Sequence, residues 1–123
     1  MTAVTFQFAT AEKVRAYYGG GPPFSFRGYV AMIEDRPIGV GGVYFINDQP
    51  WAFSEMKPEM RPRLKDKARS VRILEKLIAS YKSPVHAAAS EPTSEGLLLK
   101  LGFVPTGATV AQGPVFVRFP SHA

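Results

Sequence analysis

The sequence contains no cysteine and only two histidines, His86 and His122. The absence of cysteine excludes disulfide bonds, a thiolate nucleophile and cysteine-ligated zinc, and it is typical of proteins in a reducing compartment. Two histidines without cysteine do not support a metal site, because protein zinc sites combine three or four such ligands. We therefore expect neither a bound metal nor a covalent thiol intermediate.

Long apolar runs are also lacking. No stretch approaches the roughly 18 apolar residues that a membrane-spanning helix requires. The first seven residues show no basic region followed by an apolar core, so no signal peptide is predicted. At 123 residues the chain has room for one hydrophobic core, and no repeat or linker divides it. We expect a single domain over residues 1–123, located in the cytoplasm and without a membrane partner.

Acidic residues are few relative to basic ones, and the net charge is +5 at pH 7. More than half of the basic residues lie in one stretch, which we call the basic segment: Lys57, Arg61, Arg63, Lys65, Lys67, Arg69, Arg72 and Lys76. Such a cluster favours an anionic partner, for example a phosphorylated cofactor, a nucleic acid or an acidic protein surface. The alternative interpretation is a solvated cationic face of a helix.

Apolar patterning predicts an α+β fold. Alternation of apolar and polar residues predicts strands over residues 4–8, 28–33, 38–46, 51–56, 85–89 and 115–119. A helix is predicted from the cap residue Thr10 through Tyr17, a long one over 64–81, and a third over 95–101 with Gly102 after its end. The predicted order is β-α-β-β-β-α-β-α-β, with a mixed, mostly antiparallel sheet flanked by helices.

The predicted long helix is amphipathic. An apolar stripe with helical spacing is formed by Val71, Leu74, Leu77, Ile78 and Tyr81. The opposite side carries a row of cations, namely Lys65, Arg69, Arg72 and Lys76. We expect this helix to bury its apolar stripe against the sheet and to expose the cations to water.

Three short passages are similar to motifs of one enzyme family. Residues 33–42 (IEDRPIGVGG) match a hairpin with an acidic turn followed by Ile-Gly. Residues 56–61 (MKPEMR) match V-x-P-E-x-R at the end of a fourth strand, and residues 97–103 (LLLKLGF) match l-Y-e-k-l-G-F. With one amphipathic helix between the last two, the chain resembles the GNAT superfamily of acetyl-CoA-dependent N-acetyltransferases over about its whole length.

The resemblance implies a GNAT-like sheet that splays apart after its fourth strand and holds acetyl-CoA in the opening. The pantetheine would pair with the backbone near Ser54 to Lys57. The pyrophosphate would lie on backbone N–H groups at the start of the long helix, as anions do at helix N-termini. The cofactor-binding residues implied in this way are Met56, Lys57, Arg61, Arg63, Lys65, Lys67 and Arg69.

The chain departs from the family pattern at three places. The family's phosphate loop contains glycines, whereas residues 62–68 (PRLKDKA) contain none, so cationic side chains would have to contact the phosphates instead. The family's general-acid tyrosine corresponds to Leu98, which has no proton to give, and its asparagine seven residues earlier corresponds to Glu91. The chain thus resembles a small and degenerate member, and its brevity is compatible with a phage or prophage origin.

Glu55 is the candidate catalytic base. It falls on the predicted fourth strand, where several members of the family place a glutamate that deprotonates the amine through water. The alternative is a structural ion pair with Lys57 or Arg61. The loop after the first helix forms part of the family's acceptor site, which suggests aromatic contacts to the substrate. The candidate substrate-binding residues are Tyr18, Phe24 and Trp51, with packing at strand ends as the alternative role.

Three functions are compatible with these patterns. The first is transfer of acetyl from acetyl-CoA to the primary amine of a small molecule or a protein, with Glu55 as the base. The second, motivated by the missing glycines and by Leu98, is a GNAT-like binding or structural module without activity. The third is nucleic-acid binding through the basic segment, which no motif supports, so nucleic acid is not expected. The final strand, 115–119, is predicted to be an exposed edge that could pair in a homodimer.

Overall fold

The computed structural model describes residues 3–20, 25–90 and 92–120 of the chain. Within these ranges the elements, in chain order, are β1 (Val4–Phe8), α1 (Ala11–Tyr18), β2 (Arg27–Ile33), β3 (Arg36–Ile46), β4 (Gln49–Met56), a 3-10 helix (Pro58–Met60), α2 (Leu64–Ala79), β5 (Val85–Ala88), α3 (Pro92–Lys100), β6 (Val104–Val110) and β7 (Gly113–Arg118). None of the helices in these ranges is long and apolar enough to cross a membrane.

Capping and turn residues set the boundaries of the first elements. The Thr10 side chain accepts a hydrogen bond from the Lys13 backbone N–H at 3.3 Å and begins α1, and Gly19 ends the helix with a φ of 72°. Asn47 and Asp48 form the two-residue loop between β3 and β4 and have φ values of 50° and 64°. Two left-handed residues match the twist of the flanking strands, and they therefore fix the register of this hairpin.

The strands form one sheet in the order β1-β2-β3-β4-β5-β7-β6. Neighbouring strands are antiparallel except β4 and β5, which are parallel and are connected through α2. The β2–β3 pairing contains a bulge, because Ala31 lies opposite Gly39 whereas Met32 lies opposite Pro37. Ile38 is the extra residue, and the shift sets which residues of the two strands face each other beyond it.

Helices cover both faces of the sheet. α2 and α3 pack on one face, here called the α2 face, where Leu74, Ile78, Leu98 and Leu101 form a core with Tyr29, Val43, Ala52 and Phe103. α1 packs on the opposite α1 face, where Tyr17 contacts Val30, Met32 and Val40. Successive strand residues point to opposite faces, so β4 contributes Ala52 to one core and Phe53 to the other.

The prediction for the long helix is confirmed. α2 spans Leu64–Ala79 and buries Leu74 and Ile78, while the cations on its opposite side are exposed. The prediction for the end of α3 is confirmed as well, since Gly102 follows the helix with a φ of 89° and its N–H donates to the Leu99 carbonyl at 3.1 Å. Glycine adopts this left-handed conformation without the steric cost that a side chain would add.

The prediction for the end of the chain is wrong in two respects. β6 was not predicted, because Pro105 and Gly107 interrupt the alternation and all seven of its residues are exposed. The strand predicted as an exposed edge is β7, which lies between β5 and β6 and buries Val115, Phe116 and Val117. The edge that a second copy could reach at this end of the sheet is therefore β6.

Candidate functional site

The sheet opens between β4 and β5. The two strands pair at a single position, Trp51 with His86, whereas β3 and β4 pair at eight positions. After Trp51, β4 continues for five residues without a strand on its outer side in the described part of the chain. In a mixed sheet with this opening, the outer backbone edge of β4 is accessible to a ligand in the gap.

The polar backbone groups of two β4 residues point into this gap. The Lys57 N–H donates to the Ile38 carbonyl at 2.8 Å, so Lys57 faces β3. Backbone groups alternate in direction along an antiparallel strand, and Ser54 and Met56 therefore direct their N–H and C=O groups away from β3. A ligand with an extended, amide-containing chain can pair with them as an added strand does.

A cavity of about 820 Å³ lies at the gap. This volume is typical of sites that hold small molecules and cofactors. From the sheet it is lined by Tyr29, Ala31, Gly39, Ser54, Glu55 and Met56, with Tyr17 from α1. From the 3-10 helix and α2 it is lined by Met60, Arg61, Leu64, Lys67, Ala68, Ser70, Val71 and Leu74, and across the gap by Ser90, Ser94 and Leu97.

Two rows of residues on the α2 face form the floor of the cavity. Strand register places Tyr29, Gly41 and Ser54 in one row and Ala31, Gly39 and Met56 in the next. The Tyr29 side chain extends across Gly41, since a Cβ added at Gly41 would collide with the Tyr29 hydroxyl and ring. The Tyr29 hydroxyl therefore lies above β3, on the side of the ring that is nearer to β4.

Tyr29 forms a hydroxyl pair with Ser70 of α2. The Tyr29 Oη lies 2.8 Å from the Ser70 Oγ and 3.2 Å from the Ser70 carbonyl oxygen. Burial raises the pKa of Tyr29 to about 12, and the hydrogen bond with Ser70 partly offsets this rise. The phenol therefore keeps its proton at neutral pH and remains a hydrogen-bond donor.

Glu55 lies on the α1 face and is held by α1. The Tyr18 hydroxyl donates to the Glu55 Oε2 at 2.7 Å. Burial first, and then this hydrogen bond, raise the pKa of Tyr18, so its phenol stays protonated and continues to donate. Lys57, which could have paired with this carboxylate, instead places its Nζ 5.0 Å from the centre of the Tyr17 ring. The carboxylate is exposed to solvent, and the Tyr18 hydroxyl fixes its orientation.

The backbone at the beginning of α2 lies beside the cavity, which Leu64 lines. Arg63 precedes the helix without a side-chain cap, and the N–H groups of Lys65 and Asp66 donate to no backbone carbonyl of the described residues. Such N–H groups, together with the helix dipole, favour a bound anion. Arg61 and Lys67 line the cavity beside them, and the Lys67 Nζ donates to the Arg61 carbonyl at 3.2 Å. Two cations of the cavity wall thus lie near two N–H groups that have no backbone acceptor among the described residues, at the position where the family's phosphate loop contains glycines.

The other predicted cofactor-binding residues are distributed around this point. Met56 lines the cavity, whereas Lys57 is turned to the α1 face. Arg63 and Arg69 each place a guanidinium nitrogen 3.7 Å from the Asp66 carboxylate. Arg69 also stacks over the Phe6 ring at 4.8 Å, and Lys65 is exposed on α2. Arg63, Lys65 and Arg69 are thus near the helix start but do not line the cavity.

Of the predicted substrate-binding residues, Tyr18 contacts Glu55 directly. Trp51 stacks on His86 with ring centres 5.2 Å apart, at the point where β4 and β5 separate. Phe24 lies outside the described residues. Within the described ranges no three His, Asp or Glu side chains converge where a metal ion could bind.

Two positions at which the sequence departs from the family pattern lie on or before α3. Leu98 is buried in the core of the α2 face and does not line the cavity. Glu91 lies outside the described residues. Ser94 of α3 and Ser90 before it line the cavity.

Sequence reasoning missed Tyr29 and Ser70. The feature that could have revealed Tyr29 is the register of the β2–β3 hairpin. Tyr29 lies opposite Gly41 only because the bulge at Ile38 shifts the pairing by one residue. Without the bulge Tyr29 would have been paired with Val40, which carries a side chain, and the space over Gly41 would not have been apparent. Ser70 stands at the level of Tyr29 on α2, which no periodicity of the helix alone could reveal.

The mostly antiparallel seven-stranded sheet with helices on both faces matches the fold of the GNAT acetyltransferases. No protein-family profile matches the sequence, and no curated protein matches it either. The likeness is to solved structures, and because the sequence identities are low it establishes the fold alone.

Three of these structures illustrate the likeness. The ribosomal-protein-S18-alanine N-acetyltransferase from Escherichia coli superposes with a TM-score of 0.64 and 14% identity, covering 98% of this chain and 96% of that one. A phosphinothricin acetyltransferase from Sinorhizobium meliloti, in complex with acetyl-CoA, gives a TM-score of 0.66 and 18% identity, covering 96% and 88%. An aminoglycoside acetyltransferase in complex with coenzyme A gives 0.59 and 16%, covering 95% of each chain.

Proposed function

We propose that this protein is a GNAT-type N-acetyltransferase that moves an acetyl group from acetyl-CoA to a primary amine of a small molecule or a protein. The observation that carries the proposal is the cavity at the β4–β5 opening. On one wall the β4 backbone pairs with no other strand of the described residues, and at its end α2 begins without a side-chain cap. Solved structures of the same fold hold acetyl-CoA or coenzyme A. We propose that it acts in the cytoplasm, the location expected from the sequence.

The residues around the cavity suit the parts of acetyl-CoA. The backbone groups of Ser54 and Met56 would pair with the pantetheine amides, as strand backbone pairs with an added strand. The N–H groups at the start of α2, with Arg61 and Lys67, would hold the pyrophosphate by charge-assisted hydrogen bonds. Cationic side chains would thus make some of the phosphate contacts that the backbone of a glycine-containing loop makes in the family pattern.

Glu55 would prepare the amine for attack. A primary amine is protonated at neutral pH, and its nitrogen must lose a proton before it can bond to the thioester carbon. Glu55 is exposed on the α1 face, beside the cavity, and Tyr18 fixes its carboxylate. One proton of the ammonium group passes to Glu55 through water before the attack. The C–N bond then forms, the nitrogen releases its second proton to water, and the C–S bond breaks with its electron pair on sulfur.

Calorimetric titration with acetyl-CoA tests the cofactor half of the proposal. We expect the double substitution Arg61→Ala and Lys67→Ala to weaken binding about 10- to 100-fold, since each lost charge-assisted hydrogen bond contributes roughly 1.5–3 kcal/mol before solvent screening. The matched control is Arg72→Ala with Lys76→Ala, which removes the same charge from the exposed side of α2. Equal effects of the two pairs would show that only overall charge matters.

A GNAT-like binding module without activity, of prophage type, is the second candidate function. The burial of Leu98 favours it, because α3 then brings no phenol to the cavity. The two candidates differ in turnover: an enzyme releases CoA from acetyl-CoA when a panel of primary amines is added, and Glu55→Gln lowers that rate about 100-fold or more. Binding of acetyl-CoA without any amine-dependent release of CoA would favour the module.

A further inference from the structure

The Tyr29–Ser70 pair lies on the cavity wall and has no part in the chemistry of Glu55. Transfer of an acetyl group leaves the electron pair of the broken C–S bond on sulfur, so a thiolate develops inside the cavity. Hydrogen-bond donors that face a developing charge in a site shielded from water lower the barrier to its formation. Leu98 offers no donor, whereas Tyr29 is a phenol on the wall of the same cavity.

The glycine at position 41 shows that the Tyr29 hydroxyl is directed to this wall. Gly41 does not have a positive φ, so its backbone conformation does not require glycine. Its missing side chain instead leaves room for the Tyr29 ring and hydroxyl, with which any Cβ would collide. In the same row the next residue is Ser54 of β4, whose backbone faces the gap. The hydroxyl therefore lies over β3, one strand away from the β4 backbone beside which a pantetheine chain would lie.

We propose that Tyr29, held by Ser70, donates a hydrogen bond to the sulfur of coenzyme A and stabilises the thiolate that forms when the acetyl group leaves. This inference rests on the proposed acetyltransferase function and assigns a catalytic residue on β2 to it. The Ser70 Oγ, 2.8 Å from the phenol oxygen, can donate to that oxygen while the phenol proton turns to sulfur. The two protons that the nitrogen loses go to Glu55 and to water, and solvent protonates the released thiolate.

The acidities of the two groups decide between hydrogen bonding and full proton transfer. Burial raises the pKa of Tyr29 to about 12. An ordinary thiol has a pKa of about 8.5, so a thiolate cannot take the proton from such a phenol to any large extent. Tyr29 therefore acts by hydrogen bonding to the charged sulfur, which lowers the pKa of the bound thiol.

Binding of coenzyme A as a function of pH tests this role without the need for an acceptor. If the bound thiol has a lowered pKa, coenzyme A binds more tightly as pH rises from about 7 to about 10, by about tenfold for each unit of lowering. Beyond any pH dependence that the other groups of the cavity contribute, we expect a rise of about tenfold for the wild type and none for Tyr29→Phe. Tyr17→Phe, which removes the other phenol of the cavity wall, should retain the rise.

Desulfo-coenzyme A, which lacks the thiol, separates this effect from other titrations. The titratable and charged groups that line the cavity are Tyr17 of α1, Tyr29 of β2, Glu55 of β4, Lys67 of α2 and Arg61 before it. Their ionisation affects both ligands, so only the difference between the two affinities reports the thiol. For desulfo-coenzyme A we expect the same pH dependence in the wild type and in Tyr29→Phe.

The outcomes distinguish failure of this inference from failure of the proposed function. If coenzyme A binds and Tyr29→Phe keeps the tenfold rise, the role of Tyr29 is wrong while the acetyl-CoA site stands. If neither coenzyme A nor acetyl-CoA binds, both proposals fail. Ser70→Ala is the second variant, in case Tyr29→Phe does not fold, and it should reduce the rise because the phenol loses its Oγ partner. An undiminished rise in Ser70→Ala would also contradict the inference.

Discussion

At the scale of single residues, two glycines of β3 make a matched pair. Gly39 and Gly41 lie on the same face, and neither has a positive φ. A Cβ at Gly39 would make ordinary contacts of 3.5 Å, whereas a Cβ at Gly41 would collide with the Tyr29 ring. We expect Gly41→Ala to lower the free energy of unfolding by about 1–3 kcal/mol, the usual cost of overpacking, as measured by urea denaturation.

Gly39→Ala is the control, and its stability should stay within about 0.5 kcal/mol of the wild type or exceed it slightly. Alanine restricts the unfolded chain and here meets no obstacle in the folded one. Equal stability of the two variants would mean that the Tyr29 ring can move aside at no cost. In that case Gly41 would no longer indicate a fixed position for the hydroxyl.

The same residues show where sequence reasoning stops. Glu55 could be selected from the sequence because the resembling family places a catalytic glutamate on its fourth strand, and Pro58 marks the end of that strand here. Tyr29 could not be selected, because its role depends on a bulge that shifts its partner by one residue and on a helix that is distant in sequence. Local patterns predict which face a residue occupies, but not which residue from another element meets it there.

At the scale of elements, predictability follows the strength of the local pattern. α2 was predicted to within two residues of its end, because sixteen residues with one apolar stripe admit a single interpretation. The sheet opens between β4 and β5 because these two strands pair at only one position. The sequence of neither strand alone predicts how many residues will pair. The GNAT resemblance supplied that expectation where the pattern could not.

β6 is the strand that the sequence did not predict. Among the neighbouring strands β4, β5, β7 and β6, we expect the amides of β6 to exchange with solvent fastest. It is an edge strand with every residue exposed, and its pairing with β7 is interrupted between Pro105 and Thr109. We expect protection of residues 106–108, measured by hydrogen–deuterium exchange, to be at least about tenfold lower than in β5 and β7.

Across this interruption the Thr106 hydroxyl donates a hydrogen bond to the Val115 carbonyl at 2.9 Å. Protection of β6 equal to that of β7 would contradict the expectation. If that protection increased with protein concentration, it would indicate that the edge pairs with a second copy, which is the homodimer that the sequence suggested through a different strand.

At the scale of the whole molecule, tyrosine ionisation should limit stability at high pH. Burial raises the pKa of Tyr17 and Tyr29 to about 12, and it also raises the pKa values of Tyr18 and Tyr44. In the unfolded chain tyrosines ionise near pH 10. The unfolded state therefore releases protons before the folded state does, and the free energy of unfolding falls as pH rises from about 10 to about 12.

Below pH 10 these tyrosines are neutral in both states and contribute no pH dependence. Within the window, one fully buried tyrosine lowers stability by about 1.4 kcal/mol per pH unit, and the partly exposed ones lower it less. We expect urea denaturation at pH 9, 10 and 11 to show this decline, with the stability of Tyr29→Phe declining less steeply than that of the wild type.

Tyr29→Phe also loses its hydrogen bond to Ser70 and should be less stable by about 1 kcal/mol at pH 7. A stability that is constant through the window would mean that water reaches Tyr29, and the phenol would then be too well solvated to serve the sulfur of coenzyme A as a shielded donor.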